Sequence, residues 1–482
     1  MRFVPVVVAI LSIMLPTLKA EARTWIVDPS GTGDATTVQE GVNLAIEGDT
    51  VCVSCGLYWE HDVVVRSGIV LRTETGDPSC ATIDAGGNAR VFHCEDLDST
   101  TTIEGFTIQG AQGGFLGGGM YCVDSSPLIL SCTFRDNWCS YGGGIYCAGG
   151  SHPRLEECAF IDNEVGLGPG GGICCYNPSA PLLINCLFDG NQAPLLSGGA
   201  IFAYGGLTLQ ECVFINNSAY FGGAIDCPGT PEVSGCLFAG NTATLMGGAI
   251  YTGGSGSVWG STFSGNGAPS GGSIYVNIAG NLYVENSIVA FASMGAGIWC
   301  ERSASDTGEV AITCSNVFGN AAGDWVGCIE NQQGVAGNFS ADPLFCDETS
   351  NFTLDAASPC LSAPGCGLIG AYGQGCDVLT EVASEDTDKL DRFLLYQNTP
   401  NPFNPTTAIR FFLPGAGPVN VSVYDVAGRE VARLVEGNLA PGDHAIVWNG
   451  KDFSGDELPS GLYFARLLAG SLTATRKIAL IR

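Results

Sequence analysis

Acidic side chains are the commonest reactive groups in this chain, and Asp136, Asp162, Asp189 and Asp226 recur along its middle. Paired carboxylates hydrolyse glycosidic bonds when they face each other about 5 to 9.5 Å apart. These four fall at repeated or turn positions and form no singular cluster. Elimination from a uronate would need a cation at the cleft, and residues 23–376 offer only Arg23, Arg66, Arg72, Arg90, Arg135, Arg154 and Arg302. Arg135 beside Asp136 comes nearest to such a site, but neighbouring opposite charges are ordinarily a solvated pair. His61, His93 and His152 lack the partner spacing of a triad or a metal site, and Cys52-x-x-Cys55 has no second paired cluster at finger spacing. The expectation is of no nameable catalytic residue, no metal and no cofactor.

The element that positions these residues is a tandem repeat. A Gly-Gly-x-Ile cluster places its last residue at Met120, Ile145, Ile173, Ile201, Ile225, Ile250, Ile274 and Ile298. A Phe-x-x-Asn cluster places Phe at 106, 134, 160, 188, 214, 238 and 263, continued by Ile288. Both markers share a period of about 25 residues, so each unit is one module stacked on the next. Two or three short strands with turns in a unit of that length fit one coil of a parallel β-helix; about eleven coils rising about 4.8 Å each make a rod on the order of 50 Å long. Ile and Phe then face inward, and paired Gly permits sharp bends with φ > 0. The Asn at 137, 163, 191, 217, 241 and 266 sits where a strand ends, as a structural amide column.

Two further columns follow from the register. Where the residue two after the Ile is Cys (Cys122, Cys147, Cys175, Cys227, Cys300), the next cluster carries Cys as well (Cys132, Cys158, Cys186, Cys236, Cys314); Cys212 breaks the rule opposite Ala203. One reading is disulfides within single coils, pairing Cys122 with Cys132, Cys147 with Cys158, Cys175 with Cys186, and Cys227 with Cys236. The other is a column of free thiols, since small buried Cys also packs well. The residue after each Ile must point outward: Tyr121, Tyr146, Cys174, Phe202, Asp226, Tyr251, Tyr275 and Trp299. Its aromatics, Tyr121, Tyr146, Phe202, Tyr251, Tyr275 and Trp299, are candidates for stacking a sugar ring or gripping a partner, against a purely stabilising ladder.

Composition sets the compartment and the domain limits. Only 14% of the 482 residues are charged, with 69 Gly and 22 Cys, which favours tightly turning β structure. A net charge of -29 argues against nucleic acid or an anionic membrane as partner. Residues 23–376 hold 7 basic against 34 acidic residues, and the chain beyond them 10 against 13, so a boundary falls near 376. Arg2, an apolar run over 3–15, Pro16 and Ala20-Glu21-Ala22 give residues 1–22 the layout of a cleaved signal peptide, with no later span for a membrane helix. Export permits disulfides. Residues 34–49 predict a short capping helix, with Thr37 and Glu40 as a capping box and Val38, Val42, Ala45 and Ile46 as its apolar face. Residues 377–392 read as an acidic linker, and residues 393–482 as a β-sandwich with strands near 408–412, 419–424, 444–448 and 462–467.

The repeats Gly198-Gly199-Ala200-Ile201, Gly222-Gly223-Ala224-Ile225 and Gly247-Gly248-Ala249-Ile250, alternating with Phe-x-x-Asn, resemble those of the chlamydial polymorphic outer-membrane proteins. Ile103-Glu104-Gly105-Phe106-Thr107-Ile108 and the lead-in resemble the wider pectin-lyase-like β-helix superfamily. The likeness covers roughly residues 24–376, implies an all-β right-handed parallel β-helix, and allows lyases, hydrolases, adhesins and inactive members. Residues 341–376, with Cys346, Cys360, Cys366 and Cys376, look like a disulfide-tied closing segment. Residues 398–405 (Asn-Thr-Pro-Asn-Pro-Phe-Asn-Pro), Tyr424-Asp425-Val426-Ala427-Gly428-Arg429 and Ser460-Gly461-Leu462-Tyr463-Phe464 make the tail similar to type IX secretion sorting domains and to the immunoglobulin-like domain of flagellar hook-capping proteins. That implies carriage across an outer membrane by secretion machinery reading residues 393–482. The expectation is a secreted surface module binding an extracellular glycan or surface protein; a polysaccharide lyase or glycosidase on the same rod is the alternative.

Overall fold

The computed structural model describes residues 22–376 apart from 113, 279, 302–308 and 348–350, and residues 394–480 apart from 397, 399, 400, 402, 426–428, 470 and 471. The signal-peptide and linker expectations over 1–22 and 377–392 lie almost wholly outside the described residues. The first part is a parallel solenoid with walls of twelve, eleven and ten strands and a fourth, six-stranded sheet, here called the flap. One coil runs through Leu128–Leu130 in the first wall, Thr133–Arg135 in the second, Trp138–Tyr141 in the flap and Ile145–Ala148 in the third. The repeat predicts two or three strands per coil; the central coils have four, because the segment before the glycines also pairs with its neighbours.

Every coil pairs in register with the next, so like stacks on like. Phe134, Phe160, Phe188, Phe214, Phe238 and Phe263 form a column of parallel rings with centroids 4.6–4.9 Å apart. The Asn column is a buried amide ladder in which each Nδ2, from Asn137 to Asn241, donates to the Oδ1 one coil on, at 2.9–3.1 Å. The glycine turn is steric in origin. Gly142 has φ +66°, and a Cβ there would strike the Ile145 carbonyl. A Cβ on Gly143 would meet the Gly171 carbonyl of the next coil.

The helix at the N-terminal end spans Val38–Leu44, shorter than the sequence predicts. Its capping box forms between Thr37 and Glu40. Val38, Val42 and Ala45 are buried, whereas Ile46 points out to solvent, 56% exposed. At the opposite end Trp325, Cys328 and Ile329 pack on the luminal core. Residues 341–376 do not plug the lumen: Phe345, Phe352, Leu354, Ile369 and Tyr372 lie against the outer face of the second wall at Ala159, Leu187, Val213 and Leu237.

The disulfide expectation needs correction. Cys122, Cys132, Cys147, Cys158, Cys175, Cys186, Cys227 and Cys236 are all free and buried. In-register stacking gives each thiol its nearest equivalents along the axis, about 4.8 Å away, and not across the lumen. Cys300 bonds to Cys328 and Cys314 to Cys366, not to each other. Cys55–Cys80 and Cys346–Cys376 complete the bridges, so Cys55 is not available to a metal beside Cys52.

The tail is an antiparallel sandwich. One sheet holds Leu394–Leu395, Thr407–Leu413 and Gly442–Trp448; the other holds Gly417–Asp425, Glu430–Leu439, Gly461–Ala469 and Leu472–Leu480. Trp448, Phe403, Phe411, Val421, Leu467 and Ile478 form its core. It docks on the solenoid: Leu462 and Ala479 join the apolar cluster on the second wall, and Arg429 reaches Asp77 at 3.5 Å.

Candidate binding face

The third wall is held by the Ile column inside, and the residue after each Ile faces away from the lumen. His93, Tyr121, Tyr146, Cys174, Phe202, Asp226, Tyr251, Tyr275 and Trp299 therefore form one register row. Tyr121 stacks on Tyr146 at 5.9 Å and 7°, and Tyr251 on Tyr275 at 5.3 Å and 3°. Where Cys174 interrupts the row, Tyr176 fills in, 5.9 Å from Tyr146 and 5.7 Å from Phe202.

Facing away from the lumen is not the same as facing solvent. Phe202 is 9% and Tyr275 2% exposed, and Cys174 and Asp226 are also buried. Tyr121, Tyr146 and Tyr251 are half-buried, and Trp299 alone of the predicted aromatics is open, at 39%. The cover comes from the end of the flap, where Tyr141 lies 6.5 Å from Tyr176 and Phe221 lies 5.5 Å from Tyr251. The row is thus partly covered along the flap and most open at Trp299, with Tyr204 exposed nearby in the sequence of the same wall.

Each stretch of the row has its own electrostatics. At the N-terminal end the Arg90 guanidinium lies 4.5 Å over the Tyr121 ring and its Nε is 3.5 Å from Asp62, while His93 Nε2 is 3.2 Å from Glu95. Midway, Asp226 is 6% exposed and its Oδ1 has no hydrogen-bond partner; burial pushes its carboxyl up to about 7. Toward the C-terminal end Tyr275 Oη donates to Glu301 at 2.8 Å, and Asn277 Nδ2 donates to Tyr251 Oη at 2.8 Å. Burial, then the Glu301 bond, raises the Tyr275 phenol, and burial raises that of Tyr146 to about 12, so these hydroxyls stay protonated donors. The sequence reading missed Tyr176, Glu301 and Arg90 here. Glu301 was findable, since it lies two residues after Trp299 and so on the same face.

Of the four acids weighed for hydrolysis, Asp136, Asp162 and Asp189 lie away from this row, on or beside the second wall. Arg135 and Asp136 form a 2.8 Å pair, both about half exposed at 49% and 53%. Asp189 is pushed up to about 6, first by burial and then by the neighbouring Asp162. Asp226 lies on the third wall, without a second carboxylate in its register row. Among the described residues no helix is long and apolar enough to cross a membrane.

Comparison with known proteins bears on the fold. No curated protein matches the chain. Among solved structures it is similar to PorZ, a surface component of the type-IX secretion system of Porphyromonas gingivalis, at 22% identity over 21% of this chain and 13% of that one, TM-score 0.15. It is similar to tailspike protein 2 of an Escherichia coli O157:H7 bacteriophage at 12% identity, covering 92% of this chain and 65% of that one, TM-score 0.33. An iota-carrageenase from A. fortis matches at 14% identity over 55% and 57% of the two chains, TM-score 0.26. The chain thus spans less than two thirds of the length of each of these proteins. The FlgD Ig-like domain model matches residues 404–470, within the sandwich. The right handed beta helix region model matches residues 66–258 and again 171–339, more than half of the chain. With in-register coils beneath that match, the chain belongs to the right-handed β-helix family.

Proposed function

We propose that this is an exported surface protein whose third wall holds an extracellular glycan or surface partner, with residues 393–482 serving secretion and display. The observation that carries the reading is the aromatic row from Tyr121 to Trp299, spaced by the coil rise and opening at Trp299. Flat rings repeated at that spacing suit the apolar faces of successive sugar rings. Four disulfides support an oxidising exterior. The net charge of -29 disfavours nucleic acid and anionic membrane as partners. Residues 1–22 as signal, 23–376 as rod, 377–392 as linker and 393–482 as sorting sandwich form one consistent export plan. Multivalent contact along the row, and not catalysis, is the mechanism.

The test is a glycan array with the full chain and with Trp299→Ala and Tyr121→Ala, which leave the buried Phe202 and Tyr275 in place. Each substitution is expected to weaken binding several-fold; unchanged array profiles would sink the reading. For export, residues 393–482 fused to a reporter should carry it outside a secreting host, and a reporter retained in the periplasm counts against sorting. A second reading, hydrolysis, is favoured by the raised Asp189 beside Asp162. Reducing-sugar release from a polysaccharide panel, abolished by Asp189→Asn, would establish it.

A further inference from the structure

Of the four disulfides, Cys55–Cys80 and Cys300–Cys328 lie near the two ends of the rod and the other two tie down residues 341–376, whereas the lumen of the middle coils holds stacked thiols. One column is Cys94, Cys122, Cys147 and Cys175, consecutive register partners on the third wall. Ala203 follows and separates Cys227 from it. The second column is Cys132, Cys158, Cys186, Cys212 and Cys236, each one residue before paired strands of the second wall. Neighbours touch: the Cys212 N–H donates to Cys236 Sγ at 3.4 Å. Register partners stand about 4.8 Å apart, inside the Cα separations of 4.4 to 6.8 Å that disulfides span. The solenoid already tolerates such a bridge, since Cys55 and Cys80 flank the register pair Gly56 and Ala81 and their Cα atoms are 4.4 Å apart.

We propose that the two columns are sites of axial disulfide formation, stapling coil to coil as the exported chain folds. The first column closes as Cys94–Cys122 and Cys147–Cys175. The second holds five thiols, so two bridges form and one thiol is left over. In each event two S–H bonds are lost and one S–S bond is made. The two electrons and two protons pass to the disulfide of a thiol oxidant, which leaves as a dithiol. Timing follows from burial. Attack requires a thiolate, and burial holds the Cys94, Cys186 and Cys236 thiols well above their ordinary range. Bridging therefore belongs to the folding chain, while coils are still adding, because the closed rod buries both columns away from an oxidant.

The column itself supplies a gentle substitution, because Ser261, Ser287 and Ser315 continue it. Ser261 Oγ accepts from the Cys236 N–H at 3.1 Å, as Cys236 Sγ does from Cys212. The full chain is folded with glutathione disulfide, denatured without reductant, alkylated and weighed. Fourteen thiols are free in the structure; four added bridges leave six to label. Cys186→Ser splits the second column into Cys132–Cys158 and Cys212–Cys236, leaving five labels. Cys158→Ser strands Cys132 and permits one bridge among the remaining three, leaving seven. Fourteen labels in the parent chain overturn the proposal. So do equal counts in the two variants, or mapped peptides that link Cys122 to Cys132 within a coil.

Discussion

Asn191 accepts from the Asn163 N–H and Nδ2 and donates to Asn217 Oδ1 and to the Phe160 carbonyl, with no solvent exposure. Asn191→Ala leaves buried donors and an acceptor without partners, at about 1–3 kcal/mol for each group left unsatisfied. A loss of about 2–4 kcal/mol in urea unfolding is expected, well above that for Ala at the exposed turn residue Asn216. This column was legible in the sequence because the amide recurs with the period of the coil. The state of Asp226 was not: alternation tells lumen from exterior, and nothing in a two-residue period says that a flap covers the exterior. Its one signal was chemical, an acid in a row of aromatics. The Asp226 carboxyl is held up to about 7 by burial against 3.8 unfolded. Its contribution is therefore complete below about pH 4 and lost as pH rises through 7, by up to about 4 kcal/mol. Asp226→Asn keeps the shape without the charge. Thermal melts should show the variant gaining on the parent from pH 5 to pH 8, and parallel pH profiles would show that Asp226 does not titrate there.

At the scale of the turn, the three positions before each Ile are not equivalent. Gly142 combines a left-handed φ of +66° with a collision between any Cβ and the Ile145 carbonyl. Gly144 has ordinary φ, and its equivalents are Ala200, Ala224 and Ala249 in coils with the same Phe beneath. Gly142→Ala should cost about 1–2 kcal/mol for the left-handed backbone alone, and more with the clash. Gly144→Ala should cost less, because its φ is ordinary and the left-handed penalty is absent, although its Cβ would press on the Gly172 carbonyl oxygen and the Phe160 ring. Comparing the two midpoints in guanidinium checks the order. The sequence showed this distinction, since Gly leads every cluster while the third position varies. It hid the flap, whose strands at Glu164–Val165 and Gln192–Ser197 range from two to six residues and carry no constant pattern. The cysteine register was readable, but not the direction of each partner, because a period fixes a column without saying whether its members pair along or across it.

Across the whole molecule, neither strand patterns nor the composition break near 376 indicated that the sandwich lies back on the rod. The interface is made by side chains far apart in sequence: Arg429 with Asp77, Lys477 with Glu211 at 3.4 Å, and Leu462 with the second wall. Glu157 sits at this seam, bonded to Ser131 Oγ at 3.2 Å. Burial first, then the charges of Glu156, Asp425 and Glu104, push its carboxyl up to about 7, and Arg429 is already engaged by Asp425 at 2.7 Å. Because the docked carboxyl binds its proton more tightly than a free one, docking is favoured below the free value and loses that support as pH rises through 7. Amide hydrogen exchange across residues 460–463, corrected for intrinsic rates, is expected to quicken between pH 6 and pH 8. In Glu157→Gln, which stays neutral at the seam, protection should persist over the same range. An equal rise in exchange in both proteins would assign the change to the remaining ion pairs instead.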